Sequence, residues 1–240
     1  MTERYDSAAA RHYAAFRPPL HRLILDRVFR PHESFQVGLD VGCGTGYSTV
    51  ALAKYCARVF GLDPSRSMLD VARRHPKITY LQGSGDALSQ LPVQLFDVVT
   101  FAGSLVYAKT GRLRRELVRV CPPGGTIVAY DFRILLEEIL ARLGAGDHAV
   151  ASDYDHRANL SDWAEFKADC SGTERLRLEV TGRQMAHVLL ADSNGYDAVV
   201  RRFPSGDPFE SLLGCLQNSR VPRHLEAEIY FTKYRLLGCR

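Results

Sequence analysis

Residues Gln36 to Thr49 read Q-V-G-L-D-V-G-C-G-T-G-Y-S-T. Val37, Leu39 and Val41 predict a short strand, Gly42, Gly44 and Gly46 a tight turn, and Tyr47 onward a helix. A chain that leaves a buried strand, doubles back and enters a helix brings backbone N–H groups close to any ligand lying there. Side chains would block that approach, so the positions call for glycine. The third glycine of a dinucleotide G-x-G-x-x-G pattern would fall on residue 47, which is Tyr. The glycines alternate instead, and Asp40 stands two residues ahead of the first.

Outward from this turn, Arg58 to Leu62 predict a second strand ending at Asp63-Pro64-Ser65, and Asp63 follows Gly46 by 17 residues. That interval holds one helix and one strand, so Asp63 reaches the crevice beside the glycine turn, where parallel sheets bind their ligands. A carboxylate there accepts two ribose hydroxyls; it also serves as a plain helix cap. Ser65 and Ser67 open a helix through Met68, Leu69, Val71 and Ala72. Ile78 to Leu81 make a third strand, followed by the loop Gly83-Ser84-Gly85-Asp86-Ala87-Leu88. Phe96 to Phe101 make a nearly all-apolar fourth strand, as a central buried strand requires. Its exit is Ala102-Gly103-Ser104-Leu105-Val106-Tyr107. A helix from about Thr110 to Val120 leads through Cys121-Pro122-Pro123-Gly124-Gly125 into a fifth strand, Thr126 to Phe132.

The acidic-x-G-x-G-x-G arrangement at Asp40, Gly42, Gly44 and Gly46 resembles motif I of the class I S-adenosylmethionine-dependent methyltransferases, in particular the small-molecule, type 11-like group. Four loops over residues 36–132 agree with it in order and spacing. The resemblance implies that Cys43 and the three glycines line the cofactor, that Asp63 with Pro64 and Met68 receives its ribose, and that Gly85-Asp86-Ala87 holds the adenine. Ala102-Gly103 would then underlie the transferable methyl. Upstream, Tyr13-x-x-Phe16-Arg17-Pro18 is similar to a segment that folds over the cofactor, where Tyr13 and Arg17 meet it; packing on the sheet edge is the other reading of Tyr13 and Phe16. The implied fold is a doubly wound α/β, Rossmann-like sheet of seven strands in the order 3-2-1-4-5-7-6, strand 7 antiparallel. Right-handed crossovers agree with that order.

The implied cofactor is S-adenosyl-L-methionine, with S-adenosyl-L-homocysteine as product. The N-P-P-Y-like run of exocyclic-amine methyltransferases is absent, and the Leu-x-His of many small-molecule relatives becomes Leu105 with Tyr107. A general base is therefore missing from its usual place. Tyr107 and Tyr130 follow central strands and are the candidate catalytic hydroxyls, with His148, Tyr154 and Trp163 as further pocket candidates. The expected acceptor is a small molecule; an RNA or protein methyltransferase and a silent cofactor-binding partner subunit are the competing classes.

Composition sets bounds. The chain has 240 residues, 46% hydrophobic and 24% charged, with a formal charge of +4. Its mildly basic balance falls short of a nucleic-acid tail, so nucleic acid is not the expected partner. Arg112, Arg115 and Arg119 share a helix face that reads as solvated. No apolar run reaches the ~20 residues of a membrane span, and the N-terminus lacks a signal pattern, which makes the cytosol the expected compartment. Six scattered cysteines without C-x-x-C pairs argue against zinc and disulfides.

One domain over 1–240 is expected: helices over the cofactor in 1–30, the core in 36–132, and substrate-lid segments in 133–175 and 182–220. Within these, Asp6 or Ser7 caps a helix running to Phe16, and Leu20 to Phe29 form a second one. Helices are expected near Ile134 to Leu143, from Ser161 to Phe166, after Thr181, and from Phe209 to Leu216, with strands at Leu176 to Val180 and Glu226 to Cys239. The state is monomer or homodimer.

Overall fold

In the computed structural model, β1 (Phe35–Val41) is buried from Val37 onward and hydrogen-bonds in parallel to β2 (Cys56–Asp63) on one side and β4 (Val98–Ala102) on the other. The described residues are 9, 11–85, 88, 91–144, 154–218 and 223–238. With β3 (Ile78–Gln82), β5 (Thr126–Leu135), β6 (Phe166–Glu179) and β7 (His224–Leu236), the strands form one sheet. Its order is β3-β2-β1-β4-β5-β7-β6, with β7 antiparallel, as the resemblance implies.

The described chain divides into two compact units. One comprises Pro19–Phe132, Asp155–Glu174 and Ile229–Arg240. Alternate residues of its strands, Val37, Leu39 and Val41 on β1, Val99 and Phe101 on β4, and Ile127 and Ala129 on β5, form one apolar face. Against it lies the helix Gly111–Val120, whose Leu113, Leu117 and Val120 are fully buried at helical spacing. Thr110 caps that helix by accepting the Leu113 N–H at 3.1 Å. Each such leucine contributes about 1.5–3 kcal/mol by leaving water.

The other unit comprises Met1–Pro18, Arg133–Tyr154 and Arg175–Glu228. Its core gathers Ile139 and Leu140 of the helix Glu137–Arg142, Met185 and Leu189 of Gly182–Ala191, Val199 of Ser193–Arg202 and Leu212 of Pro208–Asn218. Thr181 and Gln184 cap Gly182–Ala191 reciprocally, each side chain accepting from the other's backbone N–H at 3.1 and 2.9 Å.

Several elements differ from expectation. Ser161 to Phe166 forms turns and not a helix: Trp163 N–H donates to Leu160 O, Phe166 N–H donates to Trp163 O, and Phe166 already opens β6. Leu176 to Glu179 is only the end of that 14-residue strand. Ile134 and Leu135 stay in β5, and the following helix is limited to Glu137–Arg142. Strand β4 starts at Val98, because Asp97 turns its carboxylate to the Gln36 and Val37 N–H groups at 2.9 Å each. Helix Ser193–Arg202, capped by Asp192, was not anticipated. Arg119 is not a solvated side chain: its guanidinium donates to Leu88 O at 2.6 Å, Leu91 O at 2.8 Å and Glu116 at 2.7 Å. Residues 11–15 are helical, while the expected caps Asp6 and Ser7 lie outside the described residues, as does Cys239. Among the described residues no helix is long and apolar enough to cross a membrane.

Candidate active site

Asp40 pairs in register with Gly61 of β2 and Thr100 of β4. Between β1 and β4 the strand order reverses, which leaves a crevice beyond their carboxyl ends. Asp40 itself does not face that crevice. It is fully buried and accepts from Ser48 Oγ at 2.6 Å, Thr49 Oγ1 at 2.7 Å and Thr100 Oγ1 at 2.8 Å. Burial raises its carboxyl above the usual range, and the three hydroxyls oppose that rise. The carboxylate thus knots β1, β4 and the helix Tyr47–Leu52 together beneath the glycine turn.

The turn is fastened to β2, since Gly42 and Cys43 N–H donate to Leu62 O at 2.7 and 3.0 Å. Gly46 has φ +82°, and a Cβ there would run into the Tyr80 phenol; one on Gly42 would run into Ser104. Gly44, at φ +52°, is different, because a Cβ on it would meet nothing within 4 Å. Its N–H donates to Asp63 Oδ2 at 2.8 Å, and Ser65 N–H donates to Asp63 Oδ1 at 2.8 Å. Each oxygen of Asp63 is oriented by one amide and retains a second lone pair. The Cys43 thiol is buried, and burial together with the charges of Asp40 and Asp63 pushes its pKa far up, so it is no nucleophile.

A pocket of about 390 Å³ opens here. Of the expected cofactor residues, Gly42, Asp63, Pro64, Gly85, Ala102 and Gly103 line it, and Tyr107 does so as well. Its volume suits a nucleoside-sized ligand. Gly103 N–H donates to Tyr130 O at 2.8 Å, which ties the β4 exit to β5. Ser104, not among the expected site residues, lines the pocket and donates to Val41 O.

The candidate hydroxyls part company. Tyr107 is 78% exposed on the helix Leu105–Ala108. Tyr130 is buried in β5 beside Ala102, its hydroxyl 3.2 Å from His21 Nδ1, and burial raises the phenol's pKa. Met68 is 46% exposed and does not line the pocket. Tyr13 and Arg17 belong to the unit that begins the chain, where the Arg17 guanidinium lies 3.6 Å from the Tyr13 ring. Trp163 is buried in the core of the sheet unit, and Tyr154 is half-buried in the other. Asp86, Ala87 and His148 lie outside the described residues. Sequence reading also missed His156, whose Nδ1 lies 2.8 Å from Asp131 Oδ2; only folding brings those residues together.

A doubly wound sheet with a glycine turn, an oriented carboxylate and a pocket at the order reversal is that of a nucleotide-cofactor protein. Residues 39–129 match the family model described as a methyltransferase domain. Over those residues the chain is similar to the class I S-adenosylmethionine-dependent methyltransferases. It is 33% identical over 160 residues to the ubiquinone biosynthesis O-methyltransferase of Coxiella burnetii, a match covering 60% of this chain and 65% of that protein. The Methylococcus capsulatus protein of the same name is 34% identical over 153 residues, 57% of this chain and 64% of that one. CRG1 of Saccharomyces cerevisiae, named as a candidate S-adenosylmethionine-dependent methyltransferase, is 27% identical over 140 residues, 55% of this chain and 47% of CRG1. The chain thus spans between 47% and 65% of the length of these relatives. A structure from Anaeromyxobacter dehalogenans, named as a candidate type II methyltransferase, has the same fold with a TM-score of 0.66 at 21% identity, covering 93% of this chain and 100% of that one.

Proposed function

We propose that the protein binds S-adenosylmethionine in the pocket at the ends of β1, β2 and β4 and methylates a small-molecule acceptor. The observation that carries this reading is Asp63: a carboxylate aimed by Gly44 and Ser65 amides, with lone pairs left over, at the mouth of a nucleoside-sized pocket. The residues fit the cofactor, because Gly44 leaves open the space a side chain would fill. Asp63 and Pro64 would receive the ribose, Gly85 with Asp86 and Ala87 the adenine, and Gly42 to Gly46 the remaining polar part. Ala102 to Ser104 would lie under the reactive end. The bound cofactor supplies an electrophilic methyl on a sulfonium. The chain aligns the acceptor and excludes water, which can lower a barrier by about 7–11 kcal/mol. Names of relatives that specify O-methylation support a small hydroxylated acceptor.

Tyr107 borders the pocket and is assigned to orienting the acceptor, and Tyr130 to holding the floor through His21. The reading keeps the cytosol as compartment and a monomer or homodimer as state, which fractionation and sedimentation test. Incubation with methyl-labelled cofactor and separated metabolite, RNA and protein pools tests the acceptor. Label in the metabolite pool is expected; label in RNA or protein alone, or none despite cofactor binding, would replace this reading.

A further inference from the structure

Resting on that reading, we propose that His156, held by Asp131, is the general base that takes the proton of a hydroxyl acceptor. Asp131 follows Tyr130, which pairs with Ala102 and whose carbonyl accepts the Gly103 N–H at 2.8 Å, so Asp131 stands level with the carboxyl end of β4, next to the loop that floors the pocket. Alternation along the strand sends the Tyr130 and Asp131 side chains to opposite faces.

Asp131 Oδ1 accepts the Phe132 N–H at 2.8 Å, which fixes the carboxylate. Its Oδ2 lies 2.8 Å from His156 Nδ1. An ionised carboxylate only accepts, so Nδ1 carries the proton, and the neutral ring keeps its lone pair on Nε2. The imidazole stacks on Tyr230 of β7, centroids 5.6 Å apart and 13° from parallel, while the Arg157 guanidinium lies 5.4 Å from the same ring. Asp131 and Tyr230 touch the imidazole, and Arg157 stands against the Tyr230 ring. The His156 and Asp131 side chains are 27% and 16% exposed, held yet reachable.

The assignment names a substrate class. A phenolic hydroxyl with a pKa near 10 is ionised to only about one part in a thousand at pH 7. A neutral amine attacks without prior loss of a proton, and a thiol ionises readily near neutrality. A fixed base is therefore of most use to a hydroxyl, where general-base catalysis is worth about 10²–10⁴-fold. As the acceptor O–H gives its proton to Nε2, the oxygen's electron pair forms the O–CH₃ bond. The C–S bond breaks with its pair going to sulfur, so the sulfonium becomes a thioether, and the imidazolium later releases its proton to water.

Three measurements test this. Nitrogen-15 NMR of histidine-labelled protein without ligand, at pH 8, should show His156 with its proton on Nδ1, a preference lost in Asp131→Asn. With methyl-labelled cofactor and catechol as probe, His156→Gln should lower kcat by about 10²-fold and remove the acid limb of the pH profile. Calorimetry with S-adenosylhomocysteine should give wild-type affinity for the same variant. An Nε2–H tautomer, an unchanged kcat and pH profile in His156→Gln, or methylation of amine or thiol probes only would overturn the proposal. Failure of the wild-type protein to bind S-adenosylhomocysteine would instead overturn the underlying reading, and is seen separately in the calorimetry.

Discussion

At Asp63 and Gly44 one hydrogen bond joins the two loops proposed to bind the cofactor, and each residue can be tested apart from the fold. Asp63→Ala removes a charged acceptor from the expected ribose site, a loss of about 1.5–3 kcal/mol of binding. The rise in Tm that S-adenosylhomocysteine gives by mass action should largely vanish in this variant; an undiminished rise in a folded Asp63→Ala protein would remove the residue from the site. Gly44→Ala and Gly46→Ala form a contrasting pair. Both place a Cβ on left-handed backbone, but only at Gly46 does it meet the Tyr80 phenol. Gly46→Ala should cost about 2–3 kcal/mol of stability. Gly44→Ala should cost about 1 kcal/mol yet lose at least tenfold in cofactor affinity, because its methyl enters the space left for ligand. Equal affinity in Gly44→Ala by calorimetry would contradict that placement. Tyr107→Phe should lower turnover with cofactor affinity intact, whereas Tyr130→Phe should cost about 1 kcal/mol in stability through the lost His21 contact. Asp63 and the glycines were legible because their meaning is local, set by spacing within one βα turn. Ser104, His21 and the Asp131–His156 pair were not, since they act on partners 63, 109 and 25 residues away.

Among elements, the buried parallel strands announced themselves through apolar runs, and β6 did so only at its end, Leu176 to Glu179. As an end strand of the sheet it is mostly exposed, so the polar residues before Leu176 carry no alternation to read. The helices of the second unit were legible where caps were strong, as at Thr181, and the helix Ser193–Arg202, capped by Asp192, was missed. That unit carries its own titration. His12 Nδ1 and His187 Nδ1 are 3.1 Å apart, and both rings lie against Phe209. Burial lowers both pKa values, helped by their mutual repulsion for His12 and by Arg183 for His187. A histidine depressed in the folded state contributes stability present above its unfolded pKa near 6.5, and that stability is lost as pH falls through the lowered value. Hydrogen-exchange protection of residues 11–15 should therefore decline below about pH 6.5 and decline less in His187→Asn. Protection that is flat from pH 8 to 5 would show that the pair does not titrate in this way.

At the scale of the whole molecule, charge predicts indifference to salt. Enzymes that neutralise many phosphates lose about 10³–10⁵ in affinity between 50 and 200 mM salt, and turnover here should change little over that range. A steep slope on the true acceptor would favour a nucleic-acid substrate. The sheet unit also closes on itself through one buried ion pair: Lys233 on β7 donates to both oxygens of Glu33 at 2.6 and 2.8 Å, across 200 residues of sequence. Lys233 is 7% exposed, so Glu33→Ala strands a buried ammonium and should lower urea stability by about 3–5 kcal/mol. A fall well below 1 kcal/mol would mean that Lys233 reaches water. The position of β7 bears on biosynthesis. Because this strand lies between β5 and β6, β5 is paired only with β4 and β6 has no sheet neighbour until residues 224–236 have emerged from the ribosome. From the emergence of β5 until that of β7 the nascent chain holds out an open sheet edge, the kind of surface that chaperones shield. Completion of this sheet thus waits on β7, and a ribosome stalled near residue 223 would leave an aggregation-prone intermediate.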